Sequence, residues 1–386
     1  MSPMAKWLPL AAIALLAGAP GAGAAELSAP TKKILSALKL PASTLDGLDK
    51  ELAVPQSVLA GAKKEGALTI LGSWRPKEFN RLSAPFKKRY PFLKVKYNYG
   101  RAFNARAIRP IVAYKEGRYI ADVVTGFGGS RRLYKEAKAL EDLRDLPGFK
   151  NAIDGNDPEG SWVAIRLRFW CMAYNTSRVK KADLPKTWDD IVSNPRWHNA
   201  KIGVGNRPQL WLLMLRGAKG KAWTDAYIDK FFNVVRPQFR KEGLNALVTL
   251  VVAGEVDAAI PAGPSRVERY AKKGAPVGWH CPGPIPRATS RTAVLKGSPH
   301  RNAAKLWVNW LISKEGQVAQ YYGEGTAPAH KDLQMAELLT YSEQVHGREQ
   351  VSEDVSKLAD LKKVWGQYWQ KAPKKGEGGK KRKKKN

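Results

Sequence analysis

Cysteine is almost absent from this chain. Its 386 residues hold two, Cys171 and Cys281, with no CxxC pair, which leaves out zinc ribbons and thioredoxin-type redox chemistry. The five histidines, His198, His280, His300, His330 and His346, show no HxxxH or HExxH spacing, so a metal hydrolase would lack its ligands. No GxSxG nucleophile elbow and no phosphate-binding P-loop occurs. After the first 25 residues no apolar run approaches the roughly 20 residues a membrane-spanning helix needs; even Leu244–Ala253 is followed at once by Gly254 and Glu255. Acidic residues are scarce too, 34 against 66 Lys and Arg, for a net charge of +32.

What is present begins with a leader. Met1–Ala25 reads as a secretory signal, with Lys6 as its charge, Trp7–Ala17 as its apolar stretch and Ala22-Gly23-Ala24 as a small-residue cleavage site. The mature chain is then expected to start near Ala25 or Glu26 in an oxidising, periplasmic compartment. There Cys171 and Cys281 could form one disulfide, although the sequence does not show that they meet. At the other end, Lys371–Asn386 holds nine basic residues and one acid. The Lys/Gly-rich stretch 374–386 has too little apolar content to pack and reads as a disordered tail, either simply solvated or touching polyanions. A charge of +24 remains on the rest of the chain. A field of that sign attracts nucleic acid, anionic lipid and acidic small molecules alike, so it points to anions without choosing among them.

Between the ends, strand and helix patterns alternate. Leu27–Ala53 is a short amphipathic preface and Pro55–Lys64 a helix stopped by Gly66. Leu68–Leu71, the stretch with Leu93, Val95 and Tyr97, and Ile120–Thr125 read as strands. Pro76–Tyr90, Arg101–Tyr114 and Arg131–Ala139 read as the helices beside them, a βαβαβα series that marks a parallel sheet covered by helices. A long extended run, Trp162–Asn175, breaks the alternation. A capping box at Thr187-Trp188-Asp189-Asp190 then restarts it, with strands at Lys201–Val204, Val256–Ile260, Val277–Cys281 and Arg291–Leu295. Helices are expected at Gln209–Arg216, Trp223–Val235, Glu242–Ala253, Ser265–Lys273, Asn302–Leu311 and Ser313–Tyr322. The order implies an α/β chain of two lobes with two or more crossings: lobe 1 over 66–161 plus 286–347, and lobe 2 over 162–285.

The motifs themselves resemble a family. Ala62-Lys63-Lys64-Glu65-Gly66 before Leu68–Ser73, Ala121-Asp122-Val123-Val124, Ala173-Tyr174-Asn175-Thr176 and Pro185–Asp190 occur in that order. Asn194-Pro195-Arg196-Trp197, Ala253–Ile260, Leu295–His300 and Ser313-Lys314-Glu315-Gly316 follow. Each is weak alone. As an ordered set over about Ala60 to Ala329 they are similar to the extracellular solute-binding proteins of ABC importers, in the ferric-iron, putrescine and phosphonate group. The resemblance implies a type II periplasmic-binding-protein fold: two α/β lobes joined by crossing hinge strands that close on a small-molecule ligand. It also implies an importer membrane permease as partner, a monomer, no cofactor and no covalent chemistry. One departure stands out. Ferric binders of this group commonly carry adjacent tyrosines after the Gly-Glu strand, where this chain reads Pro261-Ala262-Gly263-Pro264-Ser265-Arg266-Val267. The pair Tyr321-Tyr322 falls in a stretch read as helix packing, so a bare ferric ion is not expected.

Four strand-to-helix loops are the candidate ligand contacts, because free amides and the positive ends of helix dipoles meet there. In the first, Ser73, Trp74 and Arg75 follow Gly72; Trp74 either stacks on a flat ligand or belongs to the lobe-edge core. The second holds Gly126, Gly128 and Gly129, with Arg131 where a dinucleotide fingerprint would need glycine; these glycines either form an amide nest or permit a tight turn. Asn206 and Arg207 make the third, and Gly263, Ser265 and Arg266 the fourth. Their arginines suit a carboxylate, phosphate or phosphonate through bidentate pairing. No metal site and no nucleic-acid-binding signature is seen. Two readings compete with a solute binder: a basic envelope protein that holds polyanions through its surface and Lys-rich tail, and an enzyme on the same scaffold, since fold alone does not fix function.

Overall fold

The computed structural model describes residues 26–370, apart from Phe103 and 339–341. The expected leader 1–25 and the tail 374–386 lie outside the described residues. Helices α1 (Ala29–Leu38), α2 (Leu48–Leu52) and α3 (Gln56–Glu65) come first, and α3 ends where Gly66 takes φ +61, the left-handed conformation that a Cβ disfavours. The alternation follows as β1 (Ala67–Gly72), α4 (Pro76–Arg89), β2 (Lys94–Tyr99), α5 (Arg109–Lys115), β3 (Val123–Thr125) and α6 (Arg131–Glu136). Strands β4 (Val163–Phe169) and β5 (Cys171–Asn175) lead into α7 (Trp188–Ser193), β6 (Ile202–Gly205), α8 (Leu212–Lys230), β7 (Gln238–Arg240), α9 (Leu244–Val252), β8 (Ala258–Ala262), α10 (Pro264–Ala271) and β9 (Val277–His280). The chain returns through β10 (Ile285–Val294), α11 (Arg301–Ile312), α12 (Lys314–Glu324), α13 (Ser342–Val345), β11 (Gln350–Ser352) and α14 (Leu358–Trp369).

These strands form two sheets, one per lobe. The first runs β11-β10-β3-β1-β2, with β4 also pairing β10, and the second runs β7-β6-β8-β5-β9. Within them β1, β2 and β3 are mutually parallel, as are β6, β7 and β8. The extended run 162–175 is therefore one crossing: β4 lies antiparallel to β10 in the first sheet, and after Trp170 the chain enters the second as β5. That changeover falls later than the expected break at Trp162.

The lobe 1 core forms where α4 and α11 face each other through rings at helical spacing. Phe86 meets Trp307 edge-on at 4.8 Å and Trp310 at 5.3 Å, beside fully buried Leu82 and a nearly buried Phe79. The amphipathic preface belongs to this core. Ile34, Leu35, Leu45 and Leu48 are buried in it, and Thr31 donates a 2.6 Å hydrogen bond to Glu315. In lobe 2 the expected capping box is present, with Thr187 and Asp190 exchanging hydrogen bonds at the start of α7.

Several expectations needed correction. The helix expected over 101–114 begins as a wider π turn, Asn104–Ile108, before Pro110 sets the first turn of α5. The two helices expected on either side of 217–222 are both present within α8, separated by a break at Gly220 (φ 83, ψ 173), as expected. The strand expected at 256–260 sits two residues later as β8. Organised structure also continues past Gly347. Strand β11 extends the first sheet beside β10, and α14 buries Trp365 and Leu361 against lobe 2.

Cys171 and Cys281 are joined as a disulfide in the lobe 2 core, their Cα atoms 4.5 Å apart and both side chains fully buried. A bridge closing a separation of 110 residues restricts the unfolded chain strongly. Replacing both cysteines by serine is expected to lower unfolding stability by about 2–5 kcal/mol, read from urea denaturation of the variant beside the parent; an unchanged midpoint would refute the contribution.

Candidate functional site

The carboxyl ends of parallel strands are where open α/β sheets present loops to a ligand. Loops at the ends of β1 and β8, one from each lobe, close the two sides of a single cavity of about 210 Å³. Lobe 1 supplies Ser73, Arg75, Glu78 and Tyr99, and the end of α12 with the turn after it supplies Glu324 to Ala327. From lobe 2 come Asn245, Gly263, Ser265, Arg266 and Arg269. The crossing strand forms the back wall with Leu167, Arg168, Phe169 and Trp170.

Beneath this wall lies Arg166, whose side chain has no exposed surface. Its Nη1 lies 2.5 Å from Glu324 and its Nη2 donates to the Ser73 hydroxyl at 2.9 Å. The guanidinium also sits 5.1 Å over the Trp74 ring. Burial pushes the Arg166 pKa down to about 10, Glu324 pulls it back up, and the group is still charged at neutral pH. Arg168 reaches the other oxygen of Glu324 at 3.2 Å. Glu324 is thus held by two guanidiniums, and Ser73 is oriented from below.

The second carboxylate of the lining is committed as well. Glu78 accepts from the Arg75 backbone at 2.7 Å and from its guanidinium at 2.6 Å, an N-terminal cap of α4. Arg266 and Arg269 form no ion pair among the described residues; the Arg266 Nε donates to the neutral Asn245 side chain. Burial first, then the neighbouring Arg168, Arg269 and Arg207, lowers the Arg266 pKa to about 10. For Arg269 burial again leads and Arg75 from the opposite lobe comes second. The cavity is therefore lined by Arg75, Arg168, Arg266 and Arg269 around two carboxylates already neutralised, a positive site open to a negative guest.

Of the residues singled out by sequence, Ser73, Arg75, Gly263, Ser265 and Arg266 line this cavity. Trp74 does not. It is fully buried, its ring packed on Arg166 and tilted against Phe79 and Tyr97 at 6.2 and 6.3 Å, which is the core role. Gly126 stands behind Ser73, takes φ +72, and its carbonyl accepts from Arg106. Gly128 and Gly129 turn the chain at the surface, and the Gly128 carbonyl accepts from Arg131. Asn206 accepts from the Trp365 indole at 2.9 Å. Arg207 is exposed and lies outside the lining. Tyr321 and Tyr322 pack against the lobe 1 core.

Sequence reading passed over Arg168, Tyr99, Glu78, Arg269 and Glu324. A signal existed for the first. In Val163–Phe169, Arg166 and Arg168 are charges two apart in an otherwise apolar strand, the spacing that puts both on one face. Glu324 stood out less, as an acid between Gly323 and Gly325.

Comparison with known proteins agrees with this architecture. Residues 66–318 match the family described as bacterial extracellular solute-binding protein. Iron-bound HitA from Pseudomonas aeruginosa superposes with a TM-score of 0.62 at 20% identity, covering 80% of this chain and 99% of its own. The Trichodesmium protein IdiA (FutA), in complex with iron and citrate, gives 0.62 at 21% identity, covering 78% and 99%. AfuA from Actinobacillus pleuropneumoniae, with exogenous fructose-6-phosphate bound, gives 0.56 at 20%, covering 80% and 98%. At these identities the likeness is one of fold.

Removing the buried guanidinium would leave Glu324 facing the interior with Arg168 alone. Arg166→Met is expected to destabilise the protein by about 3 kcal/mol, measured by chemical denaturation. Adding Glu324→Gln is expected to recover part of that loss, since the two side chains are coupled; strict additivity would refute the coupling.

Proposed function

This chain belongs to the bacterial extracellular solute-binding proteins, and on that premise we propose that it captures a small anionic solute, or a carboxylate-bearing metal chelate, between its lobes and delivers it to the membrane permease of an ABC importer. The observation that carries this reading is the charge of the cavity. Four arginines from both lobes and the crossing strand face a space whose two carboxylates are already paired. Guanidinium forks suit carboxylate and phosphate geometry, and such charge-assisted bonds are roughly twice as strong as neutral ones. The same four charges oppose a bare cation, and Tyr99 is the one tyrosine in the lining among the described residues. The solute is small: 210 Å³ falls below the roughly 300–1,000 Å³ of drug-sized pockets.

Capture works by neutralisation across the cleft. An anion held by Ser73 on lobe 1 and by Arg266 and Arg269 on lobe 2 removes the repulsion among these guanidiniums and draws the lobes together. The crossing strands β4–β5 and β10 bend as the hinge, and the closed form is what a permease can recognise. The protein works as a monomer, exported by its leader, with no covalent step and no nucleic-acid partner. No described helix is long and apolar enough to cross a membrane.

Titration of the mature protein with phosphate esters, phosphonates, organic acids and ferric citrate, read by thermal shift, is expected to single out one anion class. A ligand at 100 times its Kd adds about 2.7 kcal/mol. Arg266→Ala is expected to weaken that ligand at least tenfold, about 1.5 kcal/mol or more for a bond to a charged group, while Arg207→Ala changes affinity less than twofold. A polyamine shift with no anion shift would defeat the anionic reading. Removal of 372–386 is expected to leave affinity unchanged; its loss would favour the polyanion-binding alternative.

A further inference from the structure

Of the four strand-to-helix loops singled out in the sequence, those after β1 and β8 line the cavity, and those after β3 and β6 do not. The loops after β3 and β6 are engaged by one segment of the chain, the stretch from the end of β11 through α14. At β3, Glu353 lies 3.1 Å from Arg131 and 2.6 Å from Arg291 of the hinge strand β10. These side chains keep 14%, 7% and 18% exposure for Arg131, Arg291 and Glu353, so the cluster is largely out of water. At β6, Trp365 donates to Asn206. Between these contacts the segment rests on lobe 2: a β-carbon at Gly217 of α8 would stand 3.6 Å from the Ser352 carbonyl oxygen and 3.7 Å from the Asp354 β-carbon.

Two guanidiniums facing one point need an anion. Burial lowers the Arg131 pKa, Arg291 lowers it further, and Glu353 opposes both. Arg291 also donates to the carbonyls of Gly155 and Thr289, and its own carbonyl accepts from the Gly126 amide. Arg131 donates to the Gly128 carbonyl and lies over the Trp162 ring. Each arginine is thus fixed by the loop or the hinge, and the carboxylate arrives from a separate stretch of chain.

We propose that Glu353 is a specificity-determining residue: it occupies, as an internal anion, a second anion-binding subsite formed by Arg131 and Arg291, and so confines solutes to the half of the cleft between Ser73 and Arg266. The proposal rests on reading the cleft as the ligand site, and not on which anion the cavity takes. The subsite, once vacated, takes a carboxylate, sulfate or phosphate group.

Sulfate titration of the full-length protein, followed by thermal unfolding, tests this, because sulfate taken up by the main cavity contributes equally to the parent and to the variants below. Glu353→Ala is expected to bind sulfate at least tenfold more tightly than the parent, and the gain is expected to vanish in Glu353→Ala/Arg131→Gln. Glu353→Gln, which keeps the shape and removes the charge, is expected to show a smaller gain in the same direction and guards against loss of the fold. No gain in either single variant, or a gain that survives Arg131→Gln, would overturn the subsite. Failure of the cavity reading shows elsewhere, as an absence of any effect of Arg266→Ala on ligand affinity.

Discussion

A guanidinium with no exposed surface must be neutralised where it stands, and Arg166 stands on the strand that joins the lobes. Leaving an ion unpaired in the interior costs several kcal/mol, so Glu324, Ser73 and the Trp74 face are committed to it. That one requirement fixes the end of α12, the loop after β1 and the back wall of the cavity relative to one another. The cavity wall is thereby preorganised on the lobe 1 side. The lobe 2 side, carried by Arg266 and Arg269, is held by no ion pair among the described residues and keeps its charge for a guest.

The net charge of +32 acquires meaning through this distribution. Many surface basic residues are paired with the few acids available, as where Arg132 meets Glu136 and Arg144 meets Asp142. Exposed pairs of this kind contribute little to stability. Around the cleft the arginines outnumber the acids, and a low-dielectric mouth of one sign raises the local concentration of the opposite ion. A field of that sign favours an anionic guest over a bare cation.

The C-terminal segment shows how a common fold becomes particular. Past β11 the chain runs from the hinge to lobe 2, satisfying Arg131, Arg291 and Asn206 on the way. It also buries Trp365 edge-on against Phe232 at 4.8 Å. Loops that the general architecture would offer to a ligand are occupied by the protein itself.

Sequence alone determined the class of fold and where its elements lie, because hydrophobic spacing and stop signals such as Gly66 act within a few residues. The capping box of α7 and the crossing run 162–175 were legible for that reason, and five of the eleven loop residues singled out line the cavity. Tertiary structure decided the rest, because burial and pairing depend on what arrives from far along the chain. Only folding brought Glu324 to Arg166 across 158 residues, Trp365 to Asn206 across 159 and Cys171 to Cys281 across 110. Long-range contacts of this kind turned Trp74 into core and Asn206 into a docking point, while Arg266 and Arg269, which they left without an ion pair among the described residues, face the cavity.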